Sequence, residues 1–191
     1  MPISSRTALV LIDVQKGLDH PRLGTRNNPD AEKRMAELLA AWRASARPVI
    51  HVQHMSREPE SQLRPGLPGN AFKPEAQPVA GEPVFQKEVN SAFIGTALES
   101  HLRANGIGEL VVAGLTTDHC VSTTVRMAAN LGFTVTLIDD ATATFERVGP
   151  DGAHFTANEM HRAALASLHG EFATVRQTRD LLTDAAAAST S

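Results

Sequence analysis

Short apolar runs of strand length alternate with longer segments of helical periodicity along almost the whole chain. The apolar runs predict six strands, at residues 7–13, 48–53, 84–87, 109–113, 133–138 and 172–175. The segments between them predict helices that open at 28–30 and that cover 95–105, 118–131 and 153–168. Apolar strands that alternate with helices are typical of a parallel sheet covered by helices on both faces. The sequence therefore predicts an α/β fold.

The first predicted helix has a clear start and a clear apolar face. Asn28 is expected to cap it, and Pro29 fits its first turn. Apolar residues then recur at helical spacing and are expected to face the core: Met35, Leu38, Leu39 and Trp42.

The length of 191 residues suits one domain, spanning 1–191 with its core within about 7–175. The segment from 55 to 83 is rich in proline and glycine, and connections of that length are usually functional or disordered. Residues 185–191 read AAAASTS, which predicts a frayed tail. We see no internal repeat and no linker that would divide the chain.

Composition excludes several partners. Lysine and arginine number 18 against 21 acidic residues, a net charge of −3, and no segment concentrates the basic ones, which argues against nucleic acid. The longest apolar run, 8–12, is too short to span a bilayer, and no signal-peptide pattern is present. We therefore expect a cytoplasmic protein with no membrane partner. The single cysteine, Cys120, excludes an intramolecular disulfide.

Three reactive side chains follow predicted strands. In parallel α/β sheets ligands bind beyond the carboxyl ends of the strands, and Asp13, Lys87 and Cys120 each lie at or just after such an end. Each residue also has a plainer interpretation, since Asp13 can cap a loop, Lys87 can be a solvated strand end and Cys120 can be a buried structural thiol. Together, an acid, an amine and a thiol at one sheet edge indicate a nucleophilic site.

The segment AGLTTDHCV, 113–121, runs from the fourth strand through a tight turn into a helix. Cys120 is expected in the first helical turn, where unpaired N–H groups and the helix dipole favour a thiolate and can hold an oxyanion. In this interpretation Lys87 stabilises the thiolate by its charge. Asp13 takes the thiol proton and returns it to the leaving nitrogen.

The segments LVLIDVQ (9–15), the region of Lys87 and GLTTDHCV (114–121) resemble the three signature segments of isochorismatase-like cysteine hydrolases. The resemblance covers about 7–175. It implies a three-layer α/β/α fold around a six-stranded, mainly parallel sheet, and a catalytic triad of Asp13, Lys87 and Cys120. It also implies a cis peptide bond before Thr116, an oxyanion hole made by the N–H groups of Thr116 and Cys120, and a homo-oligomer, either a dimer or a tetramer.

The same resemblance bears on cofactors. Nicotinamidases of this family carry a metal site built on an Asp-x-His motif after the second strand, and the matching stretch here, HVQHMSRE (51–58), lacks that motif. His51 and His54 are three residues apart and would point to opposite faces of a strand. We therefore expect no catalytic metal and no other cofactor, and nicotinamide becomes a less favoured substrate. Isochorismatase activity proper is also disfavoured, because its vinyl-ether chemistry needs no nucleophilic cysteine.

The leading interpretation is a hydrolase that opens a C–N bond (amide, carbamoyl, ureide or lactam) in a small molecule through a Cys120 thioester. An esterase with the same triad and a catalytically idle binding or scaffold protein are the alternatives. Specificity is expected to reside in 55–83 and 141–154. Further residues are predicted to bind substrate: Gln15, His54, Phe85, Asn90, Thr117, His119 and Phe155.

Overall fold

The structure is a computed structural model that describes residues 3–188. Its strands are β1 (Ala8–Ile12), β2 (Val49–His54), β3 (Val84–Lys87), β4 (Glu109–Leu115), β5 (Thr134–Ala143), β6 (Arg147–Val148), β7 (His154–Phe155) and β8 (Thr174–Arg176). Its α-helices are α1 (Ala31–Ala44), α2 (Leu98–Ala104), α3 (Ser122–Asn130), α4 (Ala157–Leu168) and α5 (Thr178–Ala188). Within residues 3–188 no helix is both long enough and apolar enough to cross a bilayer.

Six strands form one parallel sheet in the order β3-β2-β1-β4-β5-β8. Every residue of β1 is buried because alternate side chains enter two separate cores. Leu9 and Leu11 pack under α1 and α5, whereas Val10 and Ile12 pack under α2, α3 and α4. The predicted three-layer α/β/α fold is thereby confirmed, as are the buried positions of Met35, Leu38, Leu39 and Trp42.

Two element predictions were wrong near the carboxyl end of β5. The strand continues through Asp139 and Asp140 to Ala143, because both carboxylates have partners there, His161 and Gln177 for the first and Thr178 for the second. The helix predicted from 153 begins at Ala157, after the short β6–β7 hairpin.

The start of α4 is a capping box that the sequence prediction overlooked. Thr156 accepts from the N–H of Glu159, and the Glu159 carboxylate accepts from the N–H of Thr156. The motif T-x-x-E that predicts such a box is present in the sequence at 156–159.

Asn28 does not cap α1, contrary to the prediction. Its backbone is left-handed, with φ 43°, and its side chain donates to the carbonyl oxygens of Asp139 and Thr142 on β5. Asp30 occupies the cap position instead, without a side-chain hydrogen bond. The tail predicted to fray from 185 overlaps α5, which continues to Ala188, and residues 189–191 lie outside the described residues.

A buried ion network ties the segment after β1 to α1. Glu32 accepts from Arg26 at 2.6 and 2.5 Å and from Lys73 at 2.5 Å, and Lys73 also contacts Asp19 at 2.5 Å. Burial alone would raise the pKa of Glu32, but the hydrogen bonds from Arg26 and Lys73 lower that pKa to about 2. The network therefore stabilises the fold only while Glu32 is ionised.

We expect Glu32→Gln to lower the free energy of unfolding by about 3 kcal/mol at neutral pH, because the buried Lys73 and the partly buried Arg26 lose their carboxylate. Since the pKa of Glu32 is depressed in the folded state, its contribution is complete above pH 4.5 and is lost as the pH falls toward about 2. Denaturant titrations at several pH values test this. Glu37→Gln, which breaks the more exposed pair with Arg34, is the matched control, and an equal loss in both variants would contradict the account.

Candidate active site

Four side chains converge at the carboxyl edge of the sheet, where β3, β2, β1 and β4 lie side by side. Lys87 ends β3, His54 ends β2, Asp13 follows β1, and Cys120 follows β4. The Lys87 Nζ lies 2.6 Å from Asp13 Oδ2 and 2.8 Å from His54 Nδ1. His54 Nδ1 in turn lies 3.7 Å from Asp13 Oδ2 and 3.9 Å from the Cys120 Sγ. The structure thus brings the three residues predicted as a triad together, with His54 among them.

The position of Asp13 depends on an unusual backbone. Strand alternation would place Asp13 on the same face as Leu9 and Leu11, under α1, but its φ is 52°, in the left-handed region. Non-glycine residues adopt this conformation rarely, and aspartate is among those that tolerate it best. The left-handed backbone directs the Asp13 carboxylate toward Lys87 at the point where β1 ends.

Lys87 is a fully buried ammonium group held by two acceptors. Its side chain has 0% exposure, and Asp13 beside it has 2%. An ammonium group can only donate hydrogen bonds, so His54 Nδ1 must accept, which leaves the ring proton of a neutral His54 on Nε2. Lys87 and Asp13 together supply a fixed positive charge and a fixed carboxylate, and both side chains are shielded from water.

The side chain of Gln15 holds the backbone of His54 through two hydrogen bonds. Its side-chain oxygen accepts from the N–H of His54 at 2.8 Å, and its amide nitrogen donates to the carbonyl oxygens of His54 at 3.1 Å and Asn70 at 2.8 Å. The amide thereby takes the place of a neighbouring strand where β1 has ended. Gln15 was predicted to bind substrate, but it is fully buried and both polar atoms of its side chain are occupied, so its contribution here is to hold His54.

The turn that carries Cys120 needs a glycine at its start. Gly114 has φ 129°, and a Cβ there would lie 2.2 Å from the carbonyl oxygen of Ile12 on β1. The next peptide bond, Leu115–Thr116, is cis. Residues Thr117–Val121 then form one π-helical turn, in which the Val121 N–H donates to the Thr116 carbonyl, and α3 follows directly. Cys120 therefore sits in a π turn ahead of the α-helix and not in the first turn of the helix itself.

The resting state of Cys120 differs from the expectation. The turn was predicted to favour a thiolate, but burial raises the pKa of the Cys120 thiol to about 12, and the negative charge of Asp13 adds to that rise. Lys87 acts in the opposite direction without offsetting the other two. The arrangement holds a protonated thiol beside a carboxylate, so deprotonation has to accompany attack on a substrate.

A titration of Cys120 tests this assignment. The chain has one cysteine and no tyrosine, so thiolate absorbance in the ultraviolet can be followed without interference from tyrosinate. The band should be absent at neutral pH and appear only as the pH approaches about 12, and alkylation by iodoacetamide should quicken about tenfold per pH unit below that.

Two variants should move the titration in opposite directions. Lys87→Ala should raise the pKa of Cys120 further, because a neighbouring cation is lost, and Asp13→Asn should lower it, because a neighbouring anion is lost. A thiolate band already present at pH 7 in the native protein would contradict the assignment.

The site also contains a set of atoms that could ligate a metal. Asp13, His54 and Cys120 each offer one ligand atom, and these atoms all lie within 4.8 Å of one another. The ammonium of Lys87 already lies against two of them, at the hydrogen-bonding distances given above. A metal ion would therefore have to displace Lys87 or overcome its charge.

The other predicted substrate-binding residues are spread more widely. Phe85 packs edge-on against His101 of α2 at 5.3 Å, and Asn90 is exposed after β3. His119 is largely exposed beside Asp118, Phe155 is 42% exposed on β7, and Thr117 is fully buried, with its hydroxyl against His161. Phe85 and Thr117 therefore make packing and hydrogen-bonding contacts with other elements. His161 escaped the sequence prediction because it lies 44 residues from its partner.

Similarity to known proteins agrees with this geometry. A model of the isochorismatase domain matches residues 7–180. Isochorismatase family protein YrdC of Bacillus subtilis is 43% identical over 95% of this chain and 97% of its own length. The crystal structure of an isochorismatase-family protein from Chromobacterium violaceum superposes with a TM-score of 0.94 and is 49% identical, covering 98% of both chains.

The chain also resembles a structure of lower sequence identity. N-carbamoylsarcosine amidase from Thermoplasma acidophilum superposes with a TM-score of 0.72 at 27% identity, covering 91% of this chain and 96% of that one.

Proposed function

The chain belongs to the isochorismatase family of hydrolases, and we propose that it opens a C–N bond of a small molecule through a thioester on Cys120. The scissile bond is that of an amide, a carbamoyl compound, a ureide or a lactam. The observation that carries the proposal is the buried Asp13–Lys87 pair next to the only thiol of the chain. A buried ion pair adds little to stability compared with apolar packing, so its presence beside a thiol points to chemistry.

In the first half of the proposed reaction the Cys120 sulfur bonds to the substrate carbonyl carbon. The thiol proton passes to Asp13, whose Oδ1 is buried and has no hydrogen-bond partner among the described residues. The carbonyl electron pair moves to oxygen, and the N–H groups of Thr116 and Cys120 hold the resulting oxyanion. The electron pair then returns, the C–N bond breaks, and Asp13 delivers its proton to the leaving nitrogen.

In the second half a water molecule attacks the thioester and Asp13 takes one of its protons. The C–S bond breaks, the acid is released, and the proton on Asp13 returns to the Cys120 sulfur. Lys87 holds the Asp13 carboxylate in position between these steps through the 2.6 Å contact, and His54 accepts a second hydrogen bond from Lys87.

The leaving group is proposed to be nitrogen because the amidase of Thermoplasma acidophilum shares the fold over most of both chains. A panel of small amides, carbamoyl compounds, ureides, lactams and matched esters tests this choice. Turnover of a nitrogen compound, absent in Cys120→Ala, supports the proposal. Turnover of the esters alone would favour an esterase, and no turnover together with an inert Cys120 would favour a binding or scaffold protein.

We also propose that catalysis is metal-independent. Lys87 supplies the positive charge against Asp13 and His54, which leaves no role for a second cation there. Prolonged dialysis against EDTA should therefore leave turnover of a confirmed substrate unchanged. A loss that zinc, iron or manganese restores would contradict this.

A further inference from the structure

A second hydrogen-bonded series of polar side chains lies buried beneath the turn that carries Cys120. The Thr117 Oγ1 lies 2.9 Å from His161 Nδ1, His161 Nε2 lies 2.7 Å from Asp139 Oδ1, and Asp139 Oδ2 lies 2.5 Å from the Gln177 amide nitrogen. Thr117 has 0% exposure and His161 4%. The order hydroxyl, imidazole and carboxylate matches that of a hydrolytic triad, but a fully buried hydroxyl cannot reach a substrate.

The carboxylate of Asp139 fixes the direction of the two hydrogen bonds that it makes. A carboxylate only accepts, so Nε2 of His161 donates to Asp139 and carries the ring proton. When the ring is neutral, Nδ1 is an acceptor and the Thr117 hydroxyl donates to it. Thr117 is therefore held in one orientation by α4, through His161, and by β5, through Asp139.

Thr117 links Thr116 to the π turn that contains Cys120, since it follows Thr116 directly and opens that turn. The neighbouring Asp118 is tied as well, by a very short hydrogen bond from Thr144 and by Arg147 at 3.3 Å. The consecutive turn residues Thr117 and Asp118 are thus anchored to elements other than α3, the helix that follows the turn.

We propose that Thr117, His161 and Asp139 form a positioning relay that aligns the Thr116 and Cys120 N–H groups with the oxyanion. The inference rests on the proposed function, in which those two groups hold the oxyanion. In this proposal the three residues act through the turn and not by contact with the substrate. A displacement of about 1 Å at a reacting centre can cost about a hundredfold in rate, so rigid support of the turn has a kinetic consequence.

The test separates thiol reactivity from oxyanion binding. Propionaldehyde adds to a thiol to give a tetrahedral thiohemiacetal, which places an oxygen in the oxyanion hole, whereas alkylation by iodoacetamide requires only the thiol. The alkylation rate at about pH 9 reports Cys120 itself. The propionaldehyde concentration that halves this rate reports the affinity for the tetrahedral adduct.

We expect Thr117→Val to weaken propionaldehyde binding at least about tenfold while changing the alkylation rate less than about twofold, as the loss of one aligned donor implies. Thr117→Ser retains the hydroxyl and should restore binding to within about threefold of the native protein. Thr7→Val is the matched control. It removes the hydroxyl of another buried threonine, which donates to Glu109 at 2.7 Å at the opposite edge of the sheet, and should change neither quantity.

A second variant guards against misfolding of Thr117→Val. Asp139→Asn changes a partly exposed side chain, lets the His161 ring proton move to the other nitrogen, and should weaken propionaldehyde binding at least about threefold. Native-like binding in both folded variants would overturn the relay, as would parallel losses of binding and alkylation. If propionaldehyde does not protect the native protein at all, the proposed function itself fails, and the relay with it.

Discussion

Replacing Cys120 with alanine should reduce turnover of a confirmed substrate by about ten-thousand-fold or more, the largest effect that we expect from a single substitution. The thiol is the only cysteine sulfur in the chain, and it lies within 3.9 Å of His54 at the edge where the strands end. Without it no thioester forms, and neither Asp13 nor Lys87 can replace the lost nucleophile.

The substitution should leave the fold intact. Cys120 is only partly buried, and removal of one sulfur atom from such a site should change the free energy of unfolding by about 1 kcal/mol or less. Circular dichroism and denaturant titration therefore provide the control for activity, and Cys120→Ser should be similarly inactive. Cys120→Ala turning over substrate at near the native rate would refute the nucleophile assignment.

Asp13→Asn should produce the second largest loss, about a thousandfold or more in kcat, because the carboxamide cannot accept the thiol proton. Asparagine is also common in the left-handed region, so it is the substitution that best preserves the backbone at φ 52°. The loss is expected despite a lower pKa of Cys120 in this variant, since the charge of Asp13 raises that pKa.

This combination separates proton transfer from thiolate formation. If Asp13 only disturbed the thiol, its removal would increase both alkylation and turnover. If Asp13 moves the proton, alkylation should quicken while turnover falls. Asp13→Asn with more than about a tenth of native kcat would contradict the role of a general base.

The sheet and the three reactive residues could be predicted from the sequence because each depends on local patterns. Strands such as β1 are apolar throughout, and the carboxyl ends of parallel strands meet at one edge whatever the loops do. Asp13, Lys87 and Cys120 therefore converge from three separate strand ends. The same logic identified His54 but gave no indication that it would contact Lys87.

The remaining features depend on contacts that no local pattern records. The helix-start argument for a thiolate considered the local dipole, whereas burial and Asp13 dominate in the folded protein. Regular strand alternation would give Gln15 the same facing as Asp13, but the left-handed backbone at Asp13 ends the strand before that alternation can apply. The pairing of Thr117 with His161 joins residues from separate elements, and only the packing of α4 brings them together.

The thioester on Cys120 is the central claim, and partitioning of the acyl group between water and hydroxylamine tests it most directly. Two confirmed substrates with the same acyl group and different amine leaving groups would be turned over in the presence of hydroxylamine. Both substrates give the same thioester, and the amine has left before this thioester reacts. The ratio of hydroxamate to acid should therefore be the same for the two substrates. A ratio that changes with the leaving group would show that water attacks the substrate directly and would contradict the account.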